Sequence, residues 1–572
     1  MPTTTSSNWW MFHGDPAHTG EVTDSQINKT TVAKLKNTFS LDVPGSILST
    51  PAVADGYIYV GLANASASPA VPTGIGGSML KVNIETGVTE ATYSWSIDIN
   101  ERDSHGFTGM GCTPAIVDGK VYFIAFDGVL SCLNASDMSL DWKTNLRWAD
   151  LPKNQPVNNI ANYGTEPPTP QASGWSSPCV AGGKVWVGIG EGENDGLYSF
   201  VFCLDAATGN VIWIFCTNQY VAGTHNQPNM LPSAMTVGPL NPPFTTTPTV
   251  PITLGCSVWS SPAYDPELDI LYCTTGNPVP DGELPSLGYS VGLLALKAST
   301  GEFVGFSQFP AASSYRKSDI DVDVGGAPTL YSIDGRKVVG LGCKNGSFMI
   351  CDAKTIEILK WRQMLPYMKD GSQIPTVDPH PADANGNIVD TSANPDPYAS
   401  NEESNKTLAE NFHGTYSTAA ICTPQQKLFI GLGGNNYHYV SSGIDSKSTP
   451  FMRAMDWSTL EDAWPVAGDP ARYTLASAAM YRNAGESGIS VPAVVNDVVF
   501  MATTQVALYA FSADDGALLW NDMVNFGSQT GGFMGGYGYC LGPAIWGNYV
   551  VAGALVTGGT GGGVLNIYKL DS

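Results

Sequence analysis

The chain is short of charge. Asp, Glu, Lys and Arg make up 14% of its 572 residues, and 51 acidic residues stand against 27 basic ones. Long surface helices need a charged outer face, so this scarcity argues against a helical architecture. The net charge of -24 repels phosphate backbones and excludes nucleic acid as a partner class. No apolar run reaches about 18 residues, so no membrane-spanning helix is expected. Eleven cysteines occur, but no two are adjacent, none form CxxC, and no CxxCH is present. That excludes a covalently attached haem, a dithiol motif and a zinc-ribbon spacing. Cys132, Cys203, Cys273 and Cys351 lie in apolar strands, as small buried hydrophobes do. There are only 7 histidines and no GxSxG elbow. His413, beside a repeat start, reads as a hydrogen-bonded structural residue. The glycine run at 557–563 opens no helix and is not a phosphate loop. The opening MPTTTSSNWW has neither a basic nor an apolar signal region. The protein is therefore expected to be cytoplasmic, or periplasmic or secreted if a signal has been removed.

What is present is glycine, 63 residues of it, and a phrase that repeats. Each copy starts on a small residue, usually before proline. An alternating strand, a tight turn and a second strand follow, then often another turn and a tryptophan. The starts are Thr50-Pro51, Thr113-Pro114, Ser177-Pro178, Ser261-Pro262, Ala327-Pro328, the looser Ser417 to Ile421, Val491-Pro492 and Gly542-Pro543. Asp-Gly and Gly-Gly turns suit two-residue hairpins that need positive φ. Single cores seldom grow past about 300 residues, but a radial repeat escapes that limit. The expectation is an all-β protein: one eight-bladed β-propeller spanning 1–572, each blade four antiparallel strands. The last blade lacks a strand after Leu570, and the chain starts with the apolar Trp9-Trp10-Met11-Phe12. An N-terminal strand is expected to complete that blade and close the ring. Trp95, Trp142, Trp213, Trp361, Trp464 and Trp520 are expected to fill the seams between blades. Insertions at 144–173, 217–254, 362–410, 466–487 and 525–541 are expected on one face, over the channel mouth.

Oxygen-bearing side chains recur at matched points of this pattern. Glu193 follows the strand of the third repeat, and Asn277 follows the matching strand of the fourth. Asp319, Asp321 and Asp323 alternate just ahead of the fifth, and Lys344 follows its second strand. Equivalent positions in successive blades converge on one end of the channel. Carboxylate and amide oxygens gathered there make a hard-cation site of the calcium type.

The stretch CSVWSSPAYDPELDILYCTTGNP, residues 256–278, resembles the signature of the pyrroloquinoline quinone (PQQ)-dependent alcohol dehydrogenases. That family includes methanol and poly(vinyl alcohol) dehydrogenases, and the blade repeats extend the resemblance along nearly the whole chain. The resemblance implies an oxidoreductase that takes an alcohol substrate, with PQQ and a calcium ion in the central channel. Trp259 would floor the cofactor ring, and Glu193 and Asn277 would ligate the ion. Asp321 would take the alcohol proton, and Lys344 would meet the cofactor's oxygens. Asp323 matches the additional ligand of the lanthanide-using branch. Better-known members carry two adjacent cysteines over the ring and often arginine where this chain has Lys344; neither is found here. With no haem motif, electrons would pass to a separate acceptor. Two alternatives stand beside this reading. One is a propeller of the same family that has lost PQQ, doing other chemistry or using the metal structurally. The other is a non-enzymatic binding scaffold.

Overall fold

Hairpins set the architecture. In the first, Ala52 pairs with Tyr59, Val53 with Ile58 and Ala54 with Tyr57, leaving Asp55 and Gly56 as the two-residue turn. Both take positive φ, 53° and 81°. Asp118-Gly119, Gly182-Gly183 and Asp334-Gly335 turn the same way. This backbone matches the right-handed twist of the flanking strands. The structure, a computed structural model, describes residues 9–65, 76–95, 107–147, 174–190, 199–217, 254–279, 289–309, 323–344, 347–363, 415–432, 452–464, 490–502, 508–522, 542–555 and 563–571. The expected insertions fall almost wholly outside these residues.

Eight antiparallel sheets form an eight-bladed β-propeller. The fourth blade is typical, with strands Ala263–Asp265, Ile270–Thr274, Gly292–Lys297 and Phe303–Gln308 paired in chain order. Strand alternation divides each blade between two seams. Leu271 and Cys273 pack with the third blade's Trp186, Val201 and Cys203, whereas Ile270 and Tyr272 pack with the fifth blade's Val339 and Met349. Period-two side-chain placement is what lets one sheet feed two cores.

The ring closes through an N-terminal strand, as expected, but not through Trp9–Phe12. Leu35–Val43 runs antiparallel to Gly563–Leu570, from Leu35 opposite Leu570 to Val43 opposite Gly563. Alternation explains the choice: its burial reads buried, exposed, intermediate and so on, the pattern of a half-covered outer strand. Trp9-Trp10-Met11-Phe12 has no such alternation and is buried in the bore instead.

From Trp9 to Val22 the chain forms a strap against the innermost strands. Its carbonyls accept one amide after another around the ring. Trp9 O accepts from Val53, Trp10 O from Ile116, Pro16 O from Tyr264, Ala17 O from Leu330, Thr19 O from Ile421 and Gly20 O from Val494, all at 2.7–2.9 Å. Six blades thus share one segment. Asp15 curls the strap by accepting from Ala17 N at 2.8 Å and from the Thr19 hydroxyl. Both ring nitrogens of His13 face carbonyls, of His18 at 2.8 Å and Pro492 at 2.9 Å, and His18 Nδ1 lies 2.9 Å from Pro328 O. A neutral imidazole can donate to only one of two carbonyls. Burial nonetheless holds His13 down to about 4 and His18 to about 3, the second also through the neighbouring His13, while it pushes the Asp15 carboxyl up.

The seams are latched by indoles. Trp142 Nε1 donates to Ala206 O of the next blade at 3.1 Å, Trp213 to Ala298 O at 3.0 Å, Trp464 to Ala513 O at 3.0 Å and Trp520 to Leu35 O at 3.1 Å. The receiving turn must be bare. A Cβ on Gly209, at φ 71°, would collide with the Trp142 ring. Trp95 and Trp361 sit in the same girdle, but their indole N–H groups find no acceptor among the described residues.

Candidate active site

The small residue before each proline builds the wall of the channel. Thr113 N donates to Ser177 Oγ at 2.9 Å, Ser177 N to Ser261 Oγ at 3.1 Å, Ala327 N to Thr418 Oγ1 at 2.9 Å and Gly542 N to Thr50 Oγ1 at 3.1 Å. Hydroxyls therefore carry hydrogen bonds from blade to blade. Two residues ahead of them, the repeat points into a cavity. Leu48, Gly111, Trp175, Trp259, Gly325 and Tyr416 occupy equivalent positions in blades one to six, and all line it. Phe12 of the strap reaches it as well. Gly325 leaves room for the neighbouring ring: a Cβ there would lie 3.0 Å from the Trp259 indole.

Trp259, Asn277, Asp323 and Lys344 come together. Lys344 Nζ donates to Asp323 Oδ2 at 2.8 Å, and Lys344 N donates to Asp323 O at 3.0 Å. The other carboxylate oxygen accepts the backbone N–H of Asn277. Gly276 permits this, since a Cβ there would be 2.5 Å from Asp323 Oδ1. Lys344 Nζ also lies 5.2 Å from the ring centre of Trp259 and 4.9 Å from that of Tyr416. Asn277, Asp323 and Lys344 are 1%, 2% and 7% exposed, so this ion pair is taken out of water. Charge, two aromatic faces and an amide backbone compensate it together.

Glu193, Asp319, Asp321 and His413 lie outside the described residues. Among the described residues no group of three or more His, Cys, Asp or Glu could hold a metal ion. Asn277 and Asp323 are the oxygen-bearing residues of the expected ion site that the structure brings together. The ten described cysteines are all buried. Burial pushes the thiols of Cys179, Cys256, Cys273 and Cys351 well up, which makes them apolar fillers rather than nucleophiles.

The donor set suits a flat, oxygen-rich ring. Indole and phenol faces give a stacking surface, and Lys344 gives a cation. Three buried hydroxyls, Ser49 Oγ, Thr113 Oγ1 and Ser257 Oγ, have no hydrogen-bond partner among the described residues. Ser49 and Thr113 line the cavity, and Ser257 Oγ would be 2.9 Å from a Cβ placed on Gly276, beside Asp323. Sequence reasoning named Trp259 and passed over Trp175, Tyr416, Ser49 and Thr113. The signal was available: Trp175-Ser176-Ser177-Pro178 repeats Trp259-Ser260-Ser261-Pro262.

The chain is similar to known proteins in sequence and in fold. No family model matches the chain. It is 29% identical over 353 residues to the dehydrogenase subunit of a quinone alcohol dehydrogenase from Gluconacetobacter polyoxogenes, covering 58% of this chain and 42% of that protein. It is 24% identical over 550 residues to quinohemoprotein alcohol dehydrogenase ADH IIB of Pseudomonas putida, covering 91% and 70%. The chain thus spans less than half of the first of these relatives. Among solved structures, a europium-containing methanol dehydrogenase superposes with a TM-score of 0.66 at 16% identity, over 99% of both chains. Quinohemoprotein alcohol dehydrogenase from Comamonas testosteroni does so with 0.62 at 18%, over 99% of this chain and 80% of that one. The chain is a homologue of the quinone-dependent alcohol dehydrogenases and has their propeller fold.

Proposed function

We propose that the protein is a PQQ-dependent oxidoreductase that oxidises an alcohol in the cavity beneath Trp259 and Lys344. The observation that carries this reading is the meeting of Asn277, Asp323 and Lys344 beside Trp259, an indole that itself lines an aromatic, hydroxyl-bearing cavity. Bound there, PQQ would supply the quinone that accepts the alcohol's electrons, and a calcium-like or lanthanide ion would supply Lewis acidity.

The chain's own groups have defined tasks. Trp259 offers a π-face on which a flat ring stacks. Lys344 offers a cation to ring oxygens while Asp323 fixes its direction. Asn277 and Glu193 present oxygens to the ion, with Asp323 as a further ligand. Asp321 accepts the hydroxyl proton of the substrate as general base. Phe12 of the strap adds an apolar side chain to the same cavity. Electrons leave to a separate acceptor, since the chain carries no haem motif.

A second reading, the same propeller without the cofactor, draws on the size of the cavity. The cavity volume is about 50 Å³, and both Asp323 oxygens already accept a hydrogen bond. Reconstitution separates the two. Purified protein incubated with PQQ and Ca²⁺ is expected to reduce a redox dye when a primary alcohol is added. Dye reduction that does not depend on PQQ, or none at all, would favour the second reading.

A further inference from the structure

The cavity has two unlike sides. On blades four to six stand Trp259 and Tyr416, with the Lys344 ammonium 5.2 Å and 4.9 Å from their ring centres. On blades one to three stand Leu48, Ser49, Gly111, Thr113 and Trp175. The second side contains polar atoms without work. Ser49 is 4% exposed and Thr113 1%, yet neither hydroxyl has a hydrogen-bond partner among the described residues. Their neighbours in the same ring are employed: Thr50, Ser177, Ser261 and Thr418 each accept an amide from an adjacent blade. A buried hydroxyl left without a partner costs on the order of 1–3 kcal/mol. A fold that needed only packing would be more stable with alanine and valine at these two positions.

Trp175 is held for a purpose too. Its ring meets Phe126 edge-on, with centroids 4.4 Å apart. Gly111 gives it space, since a Cβ there would lie 2.9 Å from the Trp175 ring and 2.6 Å from Phe126. Its position in the repeat is that of Trp259 one blade on, so two indoles face one cavity from adjacent blades.

We propose that Trp175, Ser49 and Thr113 form a second half of the ligand cradle: Trp175 extends the stacking platform, and the two hydroxyls donate to the oxygen-rich edge of the ring, on the side away from Lys344. This rests on the reading of the cavity as a PQQ site. A planar polyacid is gripped at one edge by a cation and at the other by neutral donors, with indole beneath both. Among the described residues the hydroxyls have no competing acceptor to give up when the ligand arrives.

The test is calorimetric titration of PQQ, with Ca²⁺ present, into the full chain and into Thr113→Val, Ser49→Ala, Trp175→Leu and Trp175→Phe. Thermal unfolding of each is measured with and without PQQ. Each hydroxyl deletion is expected to raise the Kd about 5- to 10-fold, as one lost hydrogen bond does. Trp175→Leu is expected to raise it about 10-fold, and Trp175→Phe to recover much of that. Without PQQ, Thr113→Val and Ser49→Ala are expected to unfold at or above the parent temperature, because they remove an unpaired buried group. A Kd within twofold of the parent in both hydroxyl variants would overturn the proposal, as would a lower unfolding temperature without ligand, the mark of a structural role. If the parent chain binds no PQQ, the cofactor reading itself falls and takes this one with it.

Discussion

Replacing Lys344 with methionine tests the physics of the site. The substitution keeps an unbranched chain of similar length and removes only the charge. Asp323, 2% exposed in the parent, would keep Oδ1 on the Asn277 amide, while Oδ2 would lose the Lys344 ammonium. Breaking a buried pair from one side typically costs about 3–5 kcal/mol, because an uncompensated charge is left behind. With an unfolding entropy of about 2.1 cal/mol/K per residue, a chain of this length has about 1.2 kcal/mol/K in total. The expected fall in Tm is then about 2.5–4 °C. Thermal unfolding followed by tryptophan fluorescence reads it. The double variant Lys344→Met/Asp323→Asn removes both charges and should recover most of the loss, giving a coupling energy of 2 kcal/mol or so. A single-variant loss below about 1 kcal/mol, or a double variant no better than the single, would refute the claim that the pair is sealed from water.

Other outcomes follow from the same structure. The strap histidines are neutral when folded and titrate normally, near 6.5, when unfolded, so the unfolded state binds more protons as pH falls. Stability should be lost from about pH 6.5 down through about 4, by about 3 kcal/mol for His13 alone; buried Asp15, whose carboxyl is pushed up, acts in the opposite sense. Denaturant midpoints at pH 7 and pH 4.5 check the sign, and His13→Gln should flatten the dependence. Ser177→Ala strips the Thr113 amide of its acceptor inside the wall and should cost about 1–3 kcal/mol, read from the same melts. Gly209→Ala must accept a side chain at φ 71° against the Trp142 ring, and should cost more than 2 kcal/mol.

The propeller was legible because its instructions are local. Asp-Gly turns, period-two alternation and the Pro-marked starts each act within a dozen residues, and eight repetitions reinforce one another. Trp259, Asn277, Asp323 and Lys344 were legible for a related reason: matched positions in a ring must converge. The strap was not. Trp9–Phe12 is apolar without alternation, and nothing local says that the carbonyls between Trp9 and Gly20 will serve six different strands. Leu35–Val43 carries the alternation of an outer strand, yet its partner lies more than 500 residues away. Ser49 and Thr113 were invisible for a third reason. A serine or threonine at a repeat start reads the same whether its hydroxyl spans two blades, as Ser177 does, or finds no partner among the described residues, as Thr113 does.

Native mass spectrometry of the chain after incubation with PQQ and Ca²⁺ addresses the central claim most directly. A complex of one chain with one PQQ and one ion is predicted, released on denaturation and much reduced in Trp259→Ala. A parent chain that emerges at its bare mass, with no cofactor at any concentration tried, would contradict the account.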